Sequence, residues 1–277
     1  MPASITHYII AKTAERELPP ELWTAVKVAP DYYFAGSQGP DIFFFYHPVR
    51  QNLGKYLHRN SVYKLFLGFL HALRIRSGEA HTYALAYTLG YVSHYCADVT
   101  FHPYVYSYLG ERSARKSDHQ LIENDWDVYF ARKYLQAEAE YFPFPYSAGK
   151  LVRENVLLPF LMDALLFCGI AASASELKGA LKAYGRYLTF FHGNCYARRR
   201  LFSARISSLF PRKTPNKAYL CGAEFERLSG VKDADTLFLA ASEESASLMR
   251  IFSECLLQNK ELPRGEFSKH LLTGKNT

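Results

Sequence analysis

Paired cysteines are missing from this chain. Cys96, Cys168, Cys195, Cys221 and Cys255 form an odd set with no CxxC and no zinc-finger spacing. That excludes a recognisable disulfide framework and leaves free thiols in a reducing compartment as the expectation. A secretory signal is missing too. The opening MPASITHYIIAKTAERELPPE has neither a basic head followed by an apolar run nor a small-residue cleavage site, so a cytoplasmic protein is expected. The longest apolar stretch, 156–174, is interrupted by Pro159 and Asp163. It falls short of the roughly 20 uninterrupted residues of a membrane span and reads as a buried helix. Period-2 alternation over five or more residues is hard to find, and no internal repeat is visible, which argues against a sheet or a solenoid. Acidic residues are absent from 177–223, where ten Lys or Arg lie, from Lys178 to Lys217. Of the formal charge of +7, setting those ten aside leaves −3 for the rest.

What is present suits a packed protein. Of 277 residues, 49% are hydrophobic, 16% aromatic and 21% charged, a globular composition with enough length for a sizeable core. Apolar residues recur at helical spacing nearly throughout, so the expected fold is all-α, as a single domain over 1–277. Helices are expected at 4–18, 61–76, 79–100, 117–138, 150–172, 175–201 and 234–258. Ser117 with Gln120 resembles a capping box, and Ser175 followed by Lys178 is a weaker start. Loops are expected at Pro19-Pro20, GSQGPD (36–41), FPFP (142–145) and 211–216.

Eight of the ten histidines fall in the first 119 residues. Two have a carboxylate four residues on: His94 with Asp98 in HYCAD, and His119 with Glu123 in HQLIE. On a helix, positions i and i+4 share a face, so an imidazole and a carboxylate can converge on one cation, and zinc accepts such a mixed set. Ten histidines among 26 acidic residues supply about one such pair by chance, so the pairs alone decide nothing. The surroundings add to them. His102 lies a turn beyond Asp98, where the helix is expected to end before Pro103. Asp41 sits in a Gly-Pro loop, where a carboxylate is aimed free of helical constraint, and His58 precedes an amphipathic helix.

The ordered series His7, Asp41, His58, His94, Asp98, His102, His119 and Glu123 resembles the zinc-dependent phospholipase C family, grouped with the S1/P1-type nucleases. There the ligands run His, Asp, His, HxxxD, His, HxxxE on an all-helical domain. The resemblance covers residues 4–123; 124–277 shows no matching motif. It implies one zinc on Asp41, His58, His94 and Asp98, and a second on His102, His119 and Glu123. A third would use His7 and Asp98, completed in secreted members by an N-terminal Trp; here the first Trp is Trp23.

The resemblance further implies a zinc-dependent phosphodiester hydrolase, phospholipase C-like, with Asp41 as the base that orients or deprotonates the attacking water. Zinc lowers the pKa of bound water to about 7 and clamps phosphate oxygens. The expected substrate is a phosphoester, foremost a phospholipid. Alternatives are a nuclease or nucleotidase on the same scaffold, or a non-catalytic zinc-containing protein that binds lipid or a partner. Phe43 to Tyr46 can be core or a wall lining the site. The basic segment 177–223 can be a solvated face, a contact for an anionic membrane, or a nucleic-acid surface. His47, His71 and His81 receive no role; His71 is expected to pack or hydrogen-bond within the helix layer.

Overall fold

A computed structural model of the chain describes residues 4–45, 52–60, 62–111, 116–145, 155–192 and 233–276. Along the chain come α1 (Ser4–Ala14), α2 (Pro20–Val28), α3 (Pro30–Gly36), a 3-10 turn (Gly39–Phe45), α4 (Leu53–Arg59) and α5 (Val62–Arg74). They are followed by α6 (Gly78–Glu111), α7 (Lys116–Phe130), α8 (Leu157–Phe167), α9 (Ala174–Phe191), α10 (Ala234–Leu257) and α11 (Arg264–Phe267). Among the described residues no strand forms, only one isolated bridge between Lys269 and Asn276. The fold is all-α.

The centre is α6. Every residue from Ala86 to Val99 is buried, the pattern of a helix surrounded by others rather than one facing water. Packed against it are α1, α3, α5 and α10. Two glycines set the closest of these approaches: a Cβ on Gly36 would collide with the carbonyl of Tyr87, and one on Gly90 with the carbonyl of Tyr33. Backbone therefore meets backbone between α3 and α6, which seats the following 3-10 turn directly over α6. On the far side α5 buries Leu65, Phe66, Phe69 and Leu73 and packs on α8.

Several boundaries differ from the sequence reading. Pro20 does not mark a loop but occupies the first position of α2, as Pro30 does that of α3, where the missing N–H is no loss. The helix expected at 4–18 ends at Ala14 in a 3-10 turn. The segment holding His58 is itself a helix, α4, capped by the Asn52 side chain accepting from Lys55 N at 2.8 Å. The helix expected to stop at Thr100 runs through Pro103 to Glu111. Proline removes the donor for the Val99 carbonyl, and the turn at Gly274 packs over that carbonyl and the Pro103 ring. The helix expected to reach 172 stops at Phe167, because Gly169 adopts φ +80° and a Schellman pair closes the end: Ile170 N donates to Leu165 O at 2.9 Å and Gly169 N to Leu166 O at 2.8 Å. The cap of α9 is Ser173 in a capping box with Glu176, not Ser175. The side chains of Ser117 and Gln120 lie outside the described residues, as do 146–154 and 193–232.

In the FPFP segment, Phe142 and Phe144 pack on Tyr8 of α1. Opposite its buried face, α9 exposes Lys178, Lys182 and Arg186 one turn apart. The other seven basic residues of the 177–223 segment lie outside the described residues. None of the described helices is long and apolar enough to cross a membrane.

Candidate metal centre

Five elements bring the predicted residues together: α1 carries His7, the 3-10 turn Asp41, α4 His58, α6 His94, Asp98 and His102, and α7 His119 and Glu123. The spacing of four places His94, Asp98 and His102 along one side of α6. The uninterrupted passage through Pro103 keeps His102 in that row. Asp41 is not held by a loose loop. Its 3-10 turn begins at Gly39, whose φ of +49° and lack of a Cβ let the backbone lie against the His94 ring, with which an added Cβ would collide.

The side chains form two clusters bridged by Asp98. In the first, His58 Nε2 lies 3.1 Å from Asp41 Oδ1 and 3.5 Å from Asp98 Oδ2, and His94 Nε2 lies 3.2 Å from Asp98 Oδ2. His7 joins it, stacked on His94 at 4.2 Å between ring centroids, with Nε2 3.5 Å from Asp98 Oδ1 and 4.0 Å from Asp41 Oδ2. In the second cluster Glu123 Oε1 lies 2.9 Å from His119 Nε2 and 3.3 Å from His102 Nε2. A cavity of about 20 Å³, roughly one water in size, lies between the clusters, lined by His7, Asp98, His102 and Glu123 among others.

Backbone carbonyls orient three of the rings. His58 Nδ1 bonds Gly54 O at 2.7 Å, His94 Nδ1 Ser37 O at 3.2 Å, and His102 Nδ1 Leu271 O at 2.8 Å. A proton held on Nδ1 leaves Nε2 to face the cluster, as a metal-ligating imidazole requires. The first helix is clamped in place by Asp127, one turn beyond Glu123. Its buried carboxylate accepts from Ile5 N at 3.1 Å and from Thr6 N and Thr6 Oγ1 at 2.7 Å each. On the other side, Tyr184 of α9 donates to Gln38 Oε1 at 2.6 Å, and Gln38 Nε2 donates to Ser4 O at 3.2 Å. These supports escaped the sequence reading. A carbonyl leaves no trace in residue type, and of the side chains only Asp127, four residues after Glu123, sat on a face already under suspicion.

Burial works against the charged form of His58 and His102, yet neighbouring carboxylates outweigh it: Asp41 and Asp98 push His58 up to about 10, and Asp98 and Glu123 push His102 up to about 9. His7, dominated by burial and then by His94, falls to about 4. Asp98, despite burial, is held well below the carboxylate range by His102 and His94, and Glu123 is held down chiefly by His119.

Divalent zinc fits this donor set. Three groups of nitrogen and oxygen donors have their atoms within 4.8 Å of one another: His7 with Asp41 and His94, His58 with His94 and Asp98, and His102 with His119 and Glu123. His7 Nδ1, Asp41 Oδ2, His94 Nε2 and Asp98 Oδ2 are buried without a hydrogen-bond partner. Unsatisfied buried polar atoms are costly, and a cation between them removes that cost. His119 is the most open of these side chains, at 18%. Beside it stands Tyr106, 43% exposed, with its ring 5.2 Å from that of His119.

The other sequence candidates lie elsewhere. Phe43 is core, whereas Phe44 is half-buried with its ring 4.9 Å from that of His58. His71 does not pack within the helix layer; it is exposed on α5, against Phe167. His81 bonds the carbonyl of Leu73 near the end of α5. Tyr46 and His47 lie outside the described residues. A family model described as zinc dependent phospholipase C matches residues 6–158. Neither a curated protein nor a solved structure gives a match.

Proposed function

Because the chain belongs to the zinc-dependent phospholipase C family, we propose that its buried centre hydrolyses phosphodiesters by in-line attack of water, with phospholipids as the substrate class. The observation that supports this reading is the convergence of imidazoles and carboxylates from five elements, with buried donor atoms left unpartnered. Asp41, His58, His94 and Asp98 would hold one zinc, and His102, His119 and Glu123 a second. A third would sit on His7 and Asp98. When bound, zinc supplies Lewis acidity, which neutralises charge developing on phosphoryl oxygens and makes water a competent nucleophile near neutral pH.

The chain's own groups do the rest. Asp41 Oδ1 is engaged by His58, while Oδ2 has no hydrogen-bond partner; that second oxygen is the candidate acceptor for the proton of the attacking water. His7 and His94, stacked beside it, exclude bulk solvent from the carboxylate. His119 is the most exposed of the candidate ligands, and Tyr106 beside it would give an arriving phosphoester an aromatic wall. Away from the centre, the row Lys178, Lys182 and Arg186 suits an anionic membrane, at about 1 kcal/mol per basic residue near the surface.

One observation favours a second reading. An exposed ring beside the metal ligands is also a platform on which a nucleobase stacks, so Tyr106 keeps a nuclease in contention. A zinc-loaded chain assayed against phosphatidylcholine vesicles, single-stranded DNA and RNA, and a phosphomonoester separates these readings. Release of diacylglycerol is the expected result. Turnover confined to nucleic acid replaces the phospholipase reading with the nuclease one. Bound zinc with no turnover of any substrate replaces both with a structural role, and less than one zinc per chain removes the basis of all three.

A further inference from the structure

His102 receives its orienting carbonyl from far along the chain. Residues 266–274 form a hook, beyond the 6–158 match to the family, tied to itself by Gly274 N donating to His270 O and His270 N to Lys275 O, each at 2.8 Å. Its apolar residues Phe267 and Leu271 are fully buried. The hook lies along one side of α6, against Tyr95, Val99, His102 and Pro103. The Tyr95 hydroxyl stitches it at one end, donating to Glu266 O at 2.8 Å and accepting from Lys269 N at 2.9 Å. Gly274 closes it at the other end, with φ +64°, where a Cβ would stand 2.7 Å from Val99 O and 2.9 Å from the Pro103 ring. Between these fastenings Leu271 O meets His102 Nδ1 at 2.8 Å.

We propose that this hook is a positioning element of the His102–His119–Glu123 cluster, and that Tyr95 and Gly274 are positioning residues that set how tightly zinc is kept there. The inference rests on reading those three side chains as zinc ligands. Leu271 O holds the Nδ1 proton, so Nε2 is turned toward Glu123 with its lone pair available to a metal. Loss of such an outer partner lowers metal affinity by about 10- to 100-fold. The first cluster draws its carbonyls from Gly54 and Ser37 and does not depend on the hook.

The test is zinc binding by the full chain, followed by competition with a chromophoric chelator and by the rate of zinc release, with circular dichroism alongside. Tyr95→Phe removes both stitches, and Gly274→Ala wedges the far end away from α6. Each variant is expected to weaken one class of site by about 10- to 100-fold, with the other class and the helical signal unchanged. Should Gly274→Ala fail to fold, Tyr95→Phe carries the test. Ser173→Ala, which removes the distant cap of α9, is expected to leave zinc affinity unchanged. Two variants that bind and release zinc like the parent overturn the inference while leaving the metal centre standing, and an equal loss in Ser173→Ala overturns it as a global effect. A parent that takes up no zinc overturns the metal reading and the inference together.

Discussion

His58 and His102 sit between carboxylates that raise them to about 10 and about 9, so both are imidazolium in the metal-free chain at pH 7. A metal ligand must be neutral, so zinc uptake has to displace those protons. Titration calorimetry in buffers of different ionisation enthalpy is expected to report release of about two protons per chain at pH 7; an enthalpy independent of the buffer would contradict it. Both pKa values are raised above the ordinary 6.5. Their contribution to metal-free stability is therefore complete below about pH 6.5 and lost as pH rises through about 9 to 10. Asp41→Asn keeps the shape of the side chain but not its basicity. If Asp41 accepts the proton of water, kcat falls by about 10²- to 10⁴-fold, measured on the zinc-loaded variant. The eight candidate residues were legible in the sequence through their match to the family's ligand order, since metal chemistry demands particular side chain types. The carbonyls of Gly54, Ser37 and Leu271 were not, since any residue supplies one.

At the scale of elements, the placement of α1 and of the 3-10 turn decides whether the first cluster exists. Asp127 anchors α1 through three buried hydrogen bonds. Asp127→Ala leaves two buried backbone N–H groups unsatisfied, at about 1–3 kcal/mol each. A thermal shift of several degrees downward is expected, with zinc affinity reduced through His7; unaltered melting would show that α1 is held by packing alone. Gly39→Ala drives a methyl group into the His94 ring and strains a φ of +49°. Zinc content after dialysis is expected to fall, and a fully loaded Gly39→Ala protein would refute the tight seat described for this turn. Helix type and number read well from apolar spacing, and α10 was anticipated to within a residue of Ala234–Leu257. Ends read poorly. Pro20 and Pro30 start helices, Pro103 interrupts none, and Gly169 stops one. Each outcome hangs on which backbone groups neighbours satisfy.

For the molecule as a whole, the candidate metal centre lies where the elements meet, so if zinc occupies it, occupancy and fold are linked. Binding to the native state alone stabilises by about 2.7 kcal/mol at a free zinc concentration 100 times Kd. Stripping zinc with a chelator is expected to lower the melting temperature, and readdition to restore it. Charge acts separately. If Lys178, Lys182 and Arg186 face a membrane, changing all three to Glu reduces partitioning to phosphatidylserine vesicles at low salt while hydrolysis of a soluble phosphodiester is unaffected. Equal partitioning would assign that row to the solvent.

Helical periodicity pointed to an all-helical chain, and the order of imidazoles and carboxylates, matched to the ligand order of the family it resembles, singled out the candidate set, because both are written in residue type. Tertiary packing decided the rest. Close backbone approach at Gly36, Gly39 and Gly90 brings Asp41 to His94, and a hook some 170 residues further along the chain orients His102. Those arrangements arise from steric fit and from main-chain hydrogen bonds between distant segments, interactions that depend on where the backbone goes and only weakly on which side chains it carries.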